Sequence, residues 1–288
     1  MAVEKVAVIG SGLMGRGIAH VAALGGYQTT MVDVSTEILE KAMGNIRREM
    51  EKGVSIGKLA ADAKDAALGR LVVGTNLEEA AQDADLMIEA IPEDMKLKAE
   101  TFTRLDQAAP ASAILASNTS SLSITEMAAV TKRPKQFLGM HFFNPVHKMK
   151  LLEIVVGLET SEGTVRIAEE VGRRMGKETI VIKESPGFIT SRINAIIGNE
   201  AFLMLQEGVA SATDIDKAVK LGLNHPMGPF EMVDLVGLDT RLHILEYLQK
   251  TLGDKFRPAP LMVQYVRAGR LGRKVGRGVH DYPPPGKK

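Results

Sequence analysis

Through its first two thirds the chain alternates short, β-branched apolar runs with longer stretches of helical period. "KVAVIG" gives way to "GRGIAHVAALGG", and "YQTTMVD" to a long charged stretch from Ser35 to Gly69. The exchange resumes with "RLVVG" and "ADLMIEAI", a helical pattern through "EDMKLKAETFTRLDQAA", then "AILASN", "QFLGMHFF" and "KLLEIVVG", a helix from Ser161 to Met175, and "ETIVIK". Such alternation predicts a mainly parallel sheet covered by helices. The rhythm stops at "ESPGF", where Pro186 and Gly187 punctuate the chain. Beyond it the period is helical throughout, in "ITSRINAIIGNEAFLMLQEG", "ATDIDKAVKLGL", "GPFEMVDLVG", "LDTRLHILEYLQKTLG" and "PAPLMVQYVRAG". The pattern therefore predicts an α/β chain, with a mainly parallel sheet domain over residues 1–185 and a smaller all-α domain over 186–288. The final "YPPPGKK" reads as a solvated tail.

Composition narrows what such a chain can do. With 45% hydrophobic and 25% charged residues among 288, it has enough apolar material for two ordinary cores. The formal net charge of +1 offers no broad positive field, so neither nucleic acid nor a membrane surface is an expected partner, and an anionic ligand must be met locally. The absence of cysteine removes disulfides, thiolate catalysis and cysteine metal sites, and suits a reducing cytoplasm. The opening "MAVEKVAVIG" is already a strand, without a basic segment leading into an apolar leader, so the reading is a cytoplasmic protein.

"VAVIGSGLMGRGIAH" places Gly10, Gly12 and Gly15 in G-x-G-x-x-G spacing between a strand and a helix. The first glycine permits the tight turn, the second lets a pyrophosphate approach the backbone, and the third lets helix pack on strand. The helix opened by Leu13 and Met14 favours the anion at its N-terminus. The next strand ends at Asp33, where a carboxylate can accept hydrogen bonds from an adenosine ribose. These features in register indicate a Rossmann-type site. Asp33 would repel the extra phosphate of NADP, and "VDVSTE" has no adjacent arginine to receive one, so the expected cofactor is NAD.

"GMHFFNPVHKMKLLEIV" holds the candidate chemistry. His141 lies near the end of a predicted strand, where open parallel sheets carry their sites, and imidazole titrates nearest neutrality. Glu153 sits inside an apolar run, where a carboxylate needs a partner. The two could form a pair across adjacent strands, or be a satisfied core histidine and an unrelated ion pair. "SNTSSL", "GMHFFNPV", "KLLEIV" and "ESPGFI" follow the glycine loop in this order, with "EAIPEDMKLK" and "GRLGRKVGRG" around them. In these motifs the chain resembles the L-3-hydroxyacyl-CoA dehydrogenase family from end to end, close to its bacterial 3-hydroxybutyryl-CoA members.

The resemblance implies reversible oxidation of an L-3-hydroxyacyl-CoA with NAD, with His141 as general base and acid and Glu153 as its carboxylate partner. It puts Ser120 and Asn144 at the substrate's reacting oxygen and the cofactor. Glu93, Lys98 and Lys274 join the cofactor's surroundings; read alone, these three would be solvated charges. It also implies a helical second domain that serves substrate binding and homodimerisation. Lys52 and Lys58, in the charged insertion, are candidates for the coenzyme A phosphates, although their interleaving with acids equally describes a solvated face.

Two positions depart from the pattern. Ser191 in "PGFITSR" stands where many relatives have asparagine, which puts its substrate contact in doubt, and His280 falls where an aromatic residue is usual. His280 is read as packing or surface. His20, His147, His225 and His243 are read as structural, since none lies in a motif with an acid, and no metal motif is apparent. Other two-domain NAD(P) enzymes would be expected to use a lysine or cysteine where this chain centres on His141. A family member that has lost turnover and serves as a cofactor-binding or structural protein is the reading from a different class.

Overall fold

Residues 2–283 are described by the computed structural model; most of the predicted solvated tail, from 284 onward, lies outside them. The first unit contains β1 (Lys5–Ile9), α1 (Leu13–Leu24), β2 (Gln28–Val32), α2 (Thr36–Ser55), α3 (Ala61–Gly69), β3 (Leu71–Gly74), α4 (Leu77–Gln82) and β4 (Leu86–Glu89). It continues with α5 (Met95–Ala108), β5 (Ile114–Ser117), α6 (Ile124–Ala129), β6 (Phe137–Phe142), β7 (Leu151–Val156), α7 (Glu162–Arg174) and β8 (Glu178–Lys183).

The eight strands form one sheet in the order β3-β2-β1-β4-β5-β6-β7-β8. β1 to β6 are parallel, β7 is antiparallel to β6, and β8 is parallel to β7. Burial explains the sequence pattern. β4, β5 and β6 are buried at every residue and read as near-continuous apolar runs, whereas the edge strands β3 and β8 are largely exposed. The charged stretch from Ser35 becomes α2, which buries Leu39, Ala42, Ile46 and Met50 in the main core on one helical face. Each large apolar side chain so buried contributes roughly 1.5–3 kcal/mol. The strand order reverses between β1 and β4, and such a switch point opens a crevice at the strands' carboxyl ends.

Contacts divide the chain into Met1–Ser185 and Pro186–Lys288. The second unit consists of α8 (Thr190–Gln206), α9 (Ala212–Gly222), α10 (Pro229–Val236), α11 (Leu238–Leu252) and α12 (Pro260–Arg267). Phe202, Phe230, Leu245, Leu248 and Phe256 form its core. Buried Asp234 fastens the chain end, accepting from the N–H groups of Val279 and His280 and from the Tyr282 hydroxyl. Among the described residues no helix is long and apolar enough to cross a membrane.

Candidate active site

The chain leaves β1 at Gly10 with φ of +97°, and a Cβ there would lie 2.7 Å from the Ala90 carbonyl oxygen just beyond β4. Gly15 passes so close to this turn that a Cβ would lie 1.8 Å from the Gly10 oxygen. Gly12 differs: nothing lies within 4 Å of its Cβ position, so the backbone is open to a ligand. α1 has neither a side-chain cap nor an acidic residue in its first turn, which leaves the N–H groups of Leu13, Met14 and Gly15 for an anion.

Asp33 directly follows β2. Its Oδ2 accepts from the Ser11 N–H and the Ser11 hydroxyl, each at 2.7 Å, and its Oδ1 from the Val34 N–H at 2.8 Å. The carboxylate is thus fixed beside the glycine loop with lone pairs left for ribose hydroxyls. An open backbone at Gly12, an uncapped helix start and this carboxylate fit a dinucleotide.

At the end of β4, fully buried Glu89 accepts from the Ile91 N–H at 2.7 Å, Lys98 Nζ at 2.5 Å and the Ser117 hydroxyl at 2.6 Å. Burial pushes the Glu89 carboxyl up, and the Lys98 ammonium opposes that most strongly. Asp94 caps α5 by accepting from the Leu97 N–H, which places Lys98 in the first turn. Lys98 Nζ also lies 3.3 Å from Glu93 Oε2. Glu93 Oε1 in turn accepts from the Thr119 hydroxyl at 2.5 Å, the Ser120 N–H at 3.1 Å and the Ser121 hydroxyl at 3.3 Å. One polar network therefore runs from β4 through α5 to the loop that carries Ser120. Lys98 is buried within it, not solvated as a lone lysine would be read.

Register does the rest. β6 and β7 pair so that His141 stands opposite Glu153, and His141 Nδ1 lies 2.6 Å from Glu153 Oε2. Both are buried, Glu153 completely. With its proton on Nδ1 shared with the carboxylate, the imidazole presents Nε2 as the atom that can take another. Phe143 lies against the ring at 4.4 Å between centroids. Asn118 Oδ1 accepts from the Phe142 N–H at 2.9 Å, tying the loop after β5 to the end of β6. Ser120 is half-buried on that loop, and among the described residues its hydroxyl has no partner; Asn144 is exposed just past β6.

The comparisons with known proteins agree with this geometry. The family model described as "3-hydroxyacyl-CoA dehydrogenase, NAD binding domain" matches residues 5–185, and the one described as "3-hydroxyacyl-CoA dehydrogenase, C-terminal domain" matches residues 187–282. The chain belongs to the 3-hydroxyacyl-CoA dehydrogenase family. It is 45% identical to the probable 3-hydroxybutyryl-CoA dehydrogenase of Bacillus subtilis over 98% of both chains. It is also 45% identical to the 3-hydroxybutyryl-CoA dehydrogenase of Bradyrhizobium diazoefficiens, over 97% of this chain and 96% of that one. The crystal structure of (S)-3-hydroxybutyryl-CoA dehydrogenase from Ralstonia eutropha superposes with a TM-score of 0.94 at 42% identity, covering 98% of this chain and 100% of that one.

Of the other residues singled out from the sequence, Lys52 and Lys58 belong to the first unit and Ser191, Lys274 and His280 to the second. Lys52, in the last turn of α2, and Lys58, just beyond it, are exposed. Ser191 is half-buried in the first turn of α8. Lys274 donates to both oxygens of Asp239 at 2.6 Å within its own unit. His280, half-buried, has a partner in Asp216 at 2.7 Å, consistent with a packing role. A cavity of about 790 Å³ over β1, β2 and β3, lined by Thr30, Val73 and Asp83 among others, holds none of the site residues.

Glu89 and Thr119 are not among the residues expected from the sequence, although an acid inside the apolar run "DLMIEAI" is the same signal that singles out Glu153. From the sequence, His20 and His147 are expected to have no partner acid. The structure corrects this: Glu49 Oε2 lies 3.6 Å from His20 Nδ1 and 3.4 Å from His147 Nδ1.

Proposed function

We propose that the chain catalyses the reversible, NAD-dependent oxidation of a short L-3-hydroxyacyl-CoA, 3-hydroxybutyryl-CoA, to the 3-ketoacyl-CoA. The buried His141–Glu153 pair at 2.6 Å, on neighbouring strands of the sheet that also carries the glycine loop, is the observation behind this reading. The names of the bacterial relatives support the acyl group.

His141 Nε2 takes the proton of the 3-hydroxyl, and Glu153 stabilises the imidazolium that results. When bound, NAD supplies the acceptor for the hydride that leaves C3. The Ser120 hydroxyl, together with Asn144, steadies the oxygen as it becomes a carbonyl. Glu93, held by Lys98, fixes the backbone under Ser120. The first-turn N–H groups of α1 hold the pyrophosphate, and Asp33 holds the ribose and turns away the additional phosphate of NADP. In reduction His141 is the acid. Lys52 and Lys58 are our candidates for the coenzyme A phosphates, on the ground that both are exposed cations.

Following NADH oxidation with acetoacetyl-CoA, beside NADPH and a longer 3-ketoacyl-CoA, tests the reading. Rapid turnover with NADH and the short substrate is expected, with NADPH at least tenfold poorer in kcat/KM. Absence of turnover with every acyl-CoA, from protein that binds NADH, would sink it and favour a member retained for binding alone.

The protein is further proposed to be a cytoplasmic homodimer. The lack of cysteine suits that compartment. The second unit leaves Ile193, Ile196, Leu221, Leu223 and Leu235 exposed, apolar surface that a second copy would cover. Light scattering on the eluting species should give twice the 31.1 kDa chain mass; a monomer at micromolar concentration would rule out the dimer.

A further inference from the structure

Away from the proton-handling pair, α1, α2 and the connection between β6 and β7 bring two imidazoles and a carboxylate together. His20, on α1, and His147, in the connection, stack with centroids 5.4 Å apart and planes 8° from parallel. Their Nδ1 atoms lie 3.6 and 3.4 Å from the same oxygen, Glu49 Oε2. One ligand atom from each of the three residues lies within 4.8 Å of the other two. The His20 side chain is only 4% exposed. Its Nδ1 is buried without a hydrogen-bond partner, which ordinarily costs about 1–3 kcal/mol.

These distances are too long for good N–H···O bonds, which cluster near 2.9 Å. They match instead the separation between two ligands of one tetrahedral ion, roughly 3.4 Å for bonds of about 2.1 Å. We propose that His20, Glu49 and His147 bind a divalent transition-metal ion of the zinc class, with water completing the coordination. Two imidazoles and one carboxylate are a donor set that zinc accepts, and they suit nickel or cobalt better than calcium or magnesium, which prefer oxygen alone. The ion satisfies the otherwise orphaned His20 nitrogen.

Lys177 sets the expected strength. Its ammonium donates to the carbonyl oxygens of Val146 and Met149, on either side of His147, so a cation stands near the site and weakens its hold on a metal ion. The Glu49 carboxylate offsets that charge. The ion would join two helices to the connection that begins just after β6 and carries Asn144, three residues before His147. It is a structural clip, independent of the proposed hydride chemistry.

Chelator-stripped full-length protein titrated with cobalt(II) tests the site directly. One equivalent should produce visible d–d absorption of a tetrahedral imidazole-carboxylate complex, displaced by zinc, and zinc should raise the thermal midpoint. Glu49→Gln and His147→Gln, both at partly exposed positions, should weaken cobalt binding at least tenfold while leaving NADH turnover in the metal-free protein unchanged. No absorption change in the wild type at one equivalent overturns the proposal without reference to any variant. Equal binding by wild type and both variants places the ion elsewhere and overturns it too.

Discussion

His141→Gln is expected to lower turnover of acetoacetyl-CoA by about 100- to 10,000-fold, the usual contribution of a general acid–base group, while NADH binding stays close to that of the wild type. Glutamine carries its amide near the position of Nε2 and not of Nδ1, so His141→Asn, whose amide nitrogen lies near Nδ1 for Glu153, is the companion variant in which the buried carboxylate retains a donor and the fold should survive. The cofactor contacts proposed for Gly12, Leu13, Met14, Gly15 and Asp33 come from other elements, and fluorescence titration with NADH reads them separately. Wild-type turnover in the variant would remove His141 from the mechanism. A parallel loss of NADH binding would instead show that the substitution acts by distorting the site.

Lys98→Ala should be the more damaging change to stability. It leaves Glu89 fully buried beside β5 with the Ser117 hydroxyl and the Ile91 N–H but without its ammonium. Breaking a buried ion pair by removing one partner costs about 3–5 kcal/mol, a large part of the total stability of an ordinary domain. Burial already pushes the Glu89 carboxyl up, and loss of the lysine removes the strongest opposing influence, so it should be pushed up further. The paired replacement Lys98→Met with Glu89→Leu should recover much of the loss, because neither charge then remains unpaired. Urea unfolding of the single and paired variants measures both quantities. A cost below about 1 kcal/mol for Lys98→Ala would mean that the pair contributes little to holding the loop of Ser120.

What could be read from the sequence follows the range of the forces involved. Strand and helix alternation, the turn at Gly10 and the carboxylate at Asp33 depend on neighbours close in the chain, and the structure has them where the pattern puts them. The His141–Glu153 pair was accessible because both residues sit in adjacent strands. The antiparallel sense of β7 could also have been drawn from the connection of residues 143–150, which is too short for a parallel crossover. The buried Lys98–Glu89 pair was hidden because a lysine in an amphipathic helix usually faces water, and only the packing of α5 on the sheet reverses that. His20, Glu49 and His147 lie in three distant segments whose meeting depends on how α1, α2 and the β6–β7 connection pack.

The hairpin of β6 and β7 has a consequence for inheritance. Base and carboxylate are twelve residues apart in one uninterrupted stretch, so they pass together through recombination whenever that stretch is kept whole. A crossover falling inside residues 143–150 would join the imidazole of one parent to the facing strand of another. If that strand placed an apolar residue opposite His141, proton transfer would weaken; in the reciprocal chimera, a Glu153 facing a strand without the histidine would be a bare buried carboxylate, a defect in folding as well as catalysis. Chimeras cut within the connection should therefore be selected against twice, and those cut outside it only for their packing.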